Sequence, residues 1–305
     1  MSKETEKIFK EPDRFIAENS DAPCEPKENL QNMLNSFMSQ RQPWANEVTE
    51  DNAESSDDYL ELAESAATKK TALKYAKKAA QLDPDNIDAA VMVAELTASS
   101  IEKLIEKYKS LIEEAEEKLK AEGYFDYDCI GEFWGLFETR PYMRLLDKYS
   151  DNLVQCGKMR LAIAEYEKML KLCENDNLGV RYRLMHLYVF LEDEQSALRL
   201  SKEYSDEEST QFLLPLSILY YKLGNLREAN NYLKRLCAVN NDTIKFFNGL
   251  VKGDLLEHFK NMNSFGYRPF TIEEFLVESE ENVFLFQSVS AYFEWAWQKL
   301  KSKNK

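Results

Sequence analysis

PYMRLLDKYSDNLVQCGKMRLAIAEYEKMLKLCENDN, residues 141–177, decides the fold. Before Gly157, apolar side chains fall at Leu145, Leu146, Tyr149, Leu153 and Val154; after it they fall at Leu161, Ile163, Tyr166, Met169, Leu170 and Leu172. Both sets keep the three-and-four spacing that lines one face of a helix. Gly157 stands where the chain must reverse, and glycine takes a positive φ there without strain. Ala162 follows five residues later and Tyr166 four beyond it. A small residue lets two helices approach, and the larger one fills the space beyond.

The arrangement returns along the chain. Gly224 precedes Ala229 by five residues, with Leu233 four further on. In between lies Ala197, with Glu192 at the place of the glycine. Upstream, Ala72, Ala76 and Ala79 form a fourth copy that ends at Pro84. Ala162, Ala197 and Ala229 are 35 and 32 residues apart, which matches the period of about 34 found in helix–turn–helix repeats.

The segments AKKAAQLDPDN, KLGNLREANNY and QCGKMRLAIAEY resemble tetratricopeptide repeats (TPR). The block ETRPYMR, followed by NDNLGVRYRLM, is similar to a mainly bacterial group of TPR-containing proteins without assigned activity. The resemblance runs from about Asp57 to Asp242; the early tryptophan of the repeat is missing and its closing proline survives once, at Pro84. It implies an all-α, tetratricopeptide-like superhelix, a solenoid of antiparallel helix hairpins; because such an array needs its last apolar face covered, a C-terminal helical cap is expected to close it.

The chain in order then reads as follows. Residues 1–56 are acidic, proline-broken and expected to be largely flexible, with one short helix over Leu30, Met33, Leu34, Phe37 and Met38. Residues 57–122 hold the first two helix pairs, with Asp57 and Asp58 capping the first helix. The second pair ends in a long amphipathic helix along Ile101, Leu104, Ile105, Tyr108, Leu111, Ile112, Ala115 and Leu119. Residues 123–140 form an insertion dense in aromatics: Tyr124, Phe125, Tyr127, Phe133, Trp134 and Phe137. So apolar a segment must pack on the array or carry a partner's surface. Residues 141–242 hold three further repeats, and 243–305 the capping helices. There Thr271 and Glu274 have capping-box spacing, and the last helix presents Val283, Phe286, Phe293, Trp297 and Leu300 on one side.

Composition narrows function. With 305 residues and 44% hydrophobic content there is enough material to bury a core, and a net charge of −15 opposes a nucleic-acid backbone or an anionic membrane surface. Of the five cysteines, Cys24, Cys129, Cys156, Cys173 and Cys237, no two show C-x-x-C spacing, so all are read as buried inert thiols. No apolar h-region opens the sequence and no run approaches the ~20 residues of a membrane span, so the expected location is cytoplasmic. His186 and His258 are the sole histidines, without a second ligand at metal spacing, and no hydrolase, zinc or phosphate-loop motif occurs. No metal or cofactor is expected.

Such arrays bind along a concave groove lined by the first helix of each pair. The alanine register points Arg144, Asp147, Lys148, Asp151, Tyr182, Arg183, His186, Phe190, Ile218, Tyr221 and Lys222 inward. The set expected to bind a partner is Arg144, Tyr182, Arg183, His186, Phe190, Tyr221 and the insertion's Trp134. Arg140, Arg144, Arg181 and Arg183 form two cationic pairs that either hold an acidic peptide or a phosphate or pair with the chain's own acids. The carboxylate clamp of some TPR cochaperones is not carried over, because Asp147, Asp151 and Pro215 stand where it needs Lys and Asn. The expectation is a non-catalytic interaction scaffold for a partner peptide or helix. The alternatives are a peptide-sensing regulator, or an enzyme with a composite site around His186 or His258 and a carboxylate.

Overall fold

The computed structural model describes residues 48–126, 128–204, 208–253, 255 and 267–301. Among them the chain is all-helical, with 14 helices and no strand. It divides into two compact units, Met1–Cys156 and Gly157–Lys305. The division falls inside the stretch quoted first, between its two helices.

Unit 1 contains α1 (Ser56–Glu64), α2 (Lys69–Leu82), α3 (Ile87–Thr97), α4 (Ile101–Ala121) and α5 (Arg140–Gln155). Each of the first four packs against the next, and α5 lies against α3 and α4. The start of α1 differs from expectation. Ser55 is the N-cap, accepting from Asp58 N, while Asp58 at N3 returns to the Ser55 N–H. The reciprocal bond satisfies two of the N–H groups that every helix start leaves open. The DPDN turn is anchored by Asn86. Its Oδ1 caps α3 at Ala89 N, and its Nδ2 donates to Ser56 Oγ at 2.9 Å and Asp57 Oδ1 at 3.2 Å. Ser56 Oγ donates in turn to the Ala79 carbonyl, so one asparagine ties α1, α2 and α3 together.

The stripe read along residues 101–119 becomes one 21-residue helix, with Ile105, Tyr108, Ile112, Ala115 and Leu119 buried. The aromatic segment after it packs inward: Phe133 is fully buried and meets Phe125 and Tyr142 edge-on, with ring centroids 5.1 and 6.3 Å away. Tyr127 lies outside the described residues, as do the short helix read over Leu30–Met38, Cys24 and His258.

Unit 2 contains α6 (Met159–Leu172), α7 (Val180–Phe190), α8 (Glu194–Glu203), α9 (Thr210–Lys222), α10 (Leu226–Val239), α11 (Thr243–Lys252), α12 (Ile272–Glu281), α13 (Val283–Ser288) and α14 (Ser290–Lys301). At its centre lies α9, buried continuously from Thr210 to Leu219, as a helix apolar on all sides must be. It packs on α7, α8, α10 and α12.

Three turn positions share one conformation. Gly157, Glu192 and Gly224 all adopt a left-handed backbone, at φ +70°, +60° and +77°. Five residues after each comes Ala162, Ala197 or Ala229, and all three are 0% exposed. Glu192 thus takes up the glycine conformation despite its Cβ, and Lys222 sits 3.5 Å from its carboxylate.

The C-terminal helices differ from their sequence reading. The chain breaks at Val289, which offsets α14 from α13. The buried face is therefore Tyr292, Phe293, Ala296 and Leu300, while Val283 is exposed. The capping box at Thr271 does not form: Thr271 Oγ1 accepts from Glu273 N. Glu274 instead accepts from Phe270 N and from Thr210 Oγ1, both at 2.8 Å. Asn240 Nδ2 donates to Thr210 Oγ1 and to the Thr271 carbonyl. A buried polar knot therefore joins α9, the end of α10 and the start of α12. The cysteines also differ: Cys173 is buried, but Cys129, Cys156 and Cys237 are half-buried.

Candidate binding surfaces

In unit 2 three of the residues read as inward-facing on α7 and α9, His186, Phe190 and Tyr221, meet the chain's own C-terminal helices. Phe190 packs edge-on against Phe284, with centroids 5.4 Å apart. Tyr221 contacts Tyr292 and Trp295 at 5.4 and 5.2 Å. Tyr292 is wholly buried and donates to Ser217 Oγ, which donates to the Ala229 carbonyl. Ile218 is buried in α9, and Tyr182 stands edge-on to Phe212. Aromatic faces of this size cannot stay in water, and α13 and α14 supply the cover. Lys222 donates to the carbonyls of Val189 and Phe190 at 2.9 and 2.7 Å. Its ammonium thus closes the C-terminal end of α7, where helix carbonyls lack partners; burial pulls its pKa below the ordinary lysine value.

His186 and Glu278 meet 92 positions apart in sequence, both 0% exposed. The Tyr182 carbonyl, 2.7 Å from Nδ1, can only accept, so Nδ1 carries a proton. A second proton lies between Nε2 and Glu278 Oε1, 3.0 Å apart, on one atom or the other. Burial pushes the Glu278 carboxyl up to about 7, against the opposing pull of His186. This is the histidine–carboxylate convergence that a composite catalytic site would require. Both ring nitrogens are nevertheless engaged internally, and the ring stacks near Phe286. The pair therefore joins α12 to α7.

The arginines in both units are similarly engaged. Arg144 forks onto Asp88, with Nε–Oδ1 at 3.1 Å and Nη2–Oδ2 at 2.5 Å. Arg140 donates to the Trp134 carbonyl and lies over the rings of Phe137 and Trp134. Arg181 pairs with Asp176 at 2.8 Å and covers Tyr182, while Arg183 lies over Tyr166. Lys148 pairs with Glu95, which also accepts from Tyr108. The cationic pairs read from sequence thus serve the chain's own acids and rings. Asp147 and Asp151 also have partners within the chain.

Unit 1 holds a feature the sequence reading missed: a cleft of about 1030 Å³. Its walls are the start of α1, the DPDN turn, α4 and the end of the aromatic segment. Leu82, Ile87, Leu111 and Phe137 supply apolar surface, and eight carboxylates line it against one cation, Lys118. Lys118 is held by Asp85 at 2.8 Å and lies 3.9 Å from Glu122; the hydrogen bond to Asp85 raises its pKa. Tyr124 is pushed above its ordinary pKa by burial and by Glu138 and Glu122. One partial signal was legible: Glu114 and Lys118 on α4 and Glu122 at its C-cap recur every fourth residue, which marks one helix face.

Among the described residues no cluster of three or more His, Cys, Asp or Glu could hold a metal ion, and no helix is long and apolar enough to cross a membrane. No protein-family model matches the chain, and no curated protein matches it.

Proposed function

We propose that this protein is a tetratricopeptide-like scaffold that binds a peptide or helix of a partner protein without catalytic turnover. The observation that carries this reading is in unit 2. The faces of α7, α9 and α11 seat helices from later in the same chain, through Phe284 on Phe190, Tyr292 on Tyr221 and Phe293 on Phe247. Helix faces built to receive a helix laterally are the means by which hairpin arrays recognise partners. Support also comes from the recurring left-handed turns and the buried alanines five residues after each.

The test is capture of partners by the full-length protein, followed by calorimetric titration with the segment mapped by crosslinking. A saturable one-to-one complex is expected. The reading fails if no captured protein yields a saturable complex, or if purified protein converts a substrate and loses that activity in His186→Gln with the fold intact.

A further inference from the structure

We propose that the cleft of unit 1 binds a cationic, amphipathic segment of a partner polypeptide, with Lys or Arg side chains on its acidic rim and an apolar side chain against Leu82. This rests on the scaffold reading above and specifies the partner's chemistry. Two features of the cleft set that chemistry independently.

The first is charge. Asp85 and Glu122 share Lys118, and Asp88 is neutralised by Arg144. Glu54, Glu114 and Glu138 line the same cleft without an ion pair to a cation among the described residues, and Asp83 adds to the negative charge that raises the Lys118 pKa. Like charges lining one cleft favour the entry of a cation between them. An acidic peptide, a phosphate or a nucleic acid would add to it. A neutral segment would cover the carboxylates without replacing their hydration, which carries a desolvation cost.

The second is apolar surface. Leu82 ends α2 with 43% of its surface exposed, facing a cleft that Ile87, Leu111 and Phe137 also line. A small polycation such as a polyamine would satisfy the carboxylates and leave this wall wet. The cleft volume is at the upper end of small-molecule sites, large enough for side chains of a peptide. A segment with basic and apolar residues on one face meets both demands.

The test uses the full-length protein and three labelled probes in anisotropy titrations. One is a peptide with Lys and Leu at helical spacing, the second has Ser for every Leu, and the third has Glu for every Lys. The Lys/Leu peptide should bind saturably and one-to-one, the Lys/Ser peptide weakly, and the Glu/Leu peptide not at all. Asp83→Asn/Glu114→Gln/Glu138→Gln should weaken the Lys/Leu peptide about tenfold, since each exposed pair is worth up to about 1 kcal/mol. The control Glu106→Gln/Glu113→Gln/Glu117→Gln removes equal charge from α4 outside the cleft and should change binding less than about twofold. Leu82→Asn should weaken the Lys/Leu peptide and leave the Lys/Ser peptide unchanged. Circular dichroism confirms that each variant keeps its helicity.

Equal weakening by both triple variants would reduce the effect to net charge and overturn the proposal. So would Lys/Ser or spermine binding as tightly as Lys/Leu, or the absence of saturable binding. If a captured partner still binds the cleft triple variant with unchanged affinity, the scaffold reading stands and the cleft assignment alone falls.

Discussion

Unit 1 and unit 2 are both built of packed helices and use their side faces differently. In unit 2, α12 to α14 cover the aromatic residues of α7, α9 and α11, and the contacts are rings and buried hydrogen bonds. In unit 1 no described residue fills the cleft beside α4, which is lined by carboxylates. The difference shows what decides whether such a face is filled from within. Aromatic faces must find cover in the chain itself, whereas acids remain soluble until a partner of opposite charge arrives.

The largest expected effect tests the sealed side. Tyr292→Ala removes a ring packed among Tyr221, Phe247 and Trp295, together with the bond to Ser217. It should destabilise unit 2 by about 3–5 kcal/mol, read from denaturation followed at Trp295 and Trp297. A comparable loss from Glu114→Gln, expected at under about 0.5 kcal/mol, would erase the contrast between the units.

The next effect depends on pH. Glu278 has its folded pKa raised from 4.5 to about 7, chiefly by burial, with Glu274 and Glu281 adding to the rise. Below pH 4.5 the carboxyl is protonated in folded and unfolded chains alike. Between 4.5 and 7 the Glu278 carboxyl on its own releases its proton only in the unfolded chain, so its own contribution to stability should fall as pH rises through that window. Glu278→Gln should flatten that slope in urea titrations at several pH values; an unchanged slope would place its origin elsewhere.

In unit 1, Asn86→Ala removes the α3 cap and the bonds to Ser56 and Asp57. A loss of about 1–2 kcal/mol is expected, measured by thermal unfolding. The smallest effect concerns the turns. A Cβ at Gly224 would meet nothing within 4 Å, so Gly224→Ala pays only for its left-handed φ and should cost about 1 kcal/mol. Glu192→Gly should gain about 0.5 kcal/mol, less what is lost with Lys222. Opposite signs at the two positions are the outcome to look for in chemical denaturation midpoints.

Much of the fold was legible because it rests on local chemistry. Gly157 and Gly224 announced turns, the alanines announced buried positions, and the stripe along residues 101–119 announced α4. What escaped depends on distant partners. Residues 184–189 of α7 are buried without interruption, so no stripe showed which side would meet α13. Glu274 sits at capping-box spacing yet bonds Thr210, 64 residues away. The break at Val289 turned the buried face from Val283 and Trp297 to Tyr292 and Ala296. The cleft joins acids from Glu54 to Glu138, and no window of sequence contains them together.

The proton trapped between His186 and Glu278 has a further consequence. Both side chains are 0% exposed, so solvent reaches it only when unit 2 opens around them, and its isotope-exchange rate is a clock for that opening. A single imidazole resonance would then report how often the interior of unit 2 opens, with no label added to the molecule.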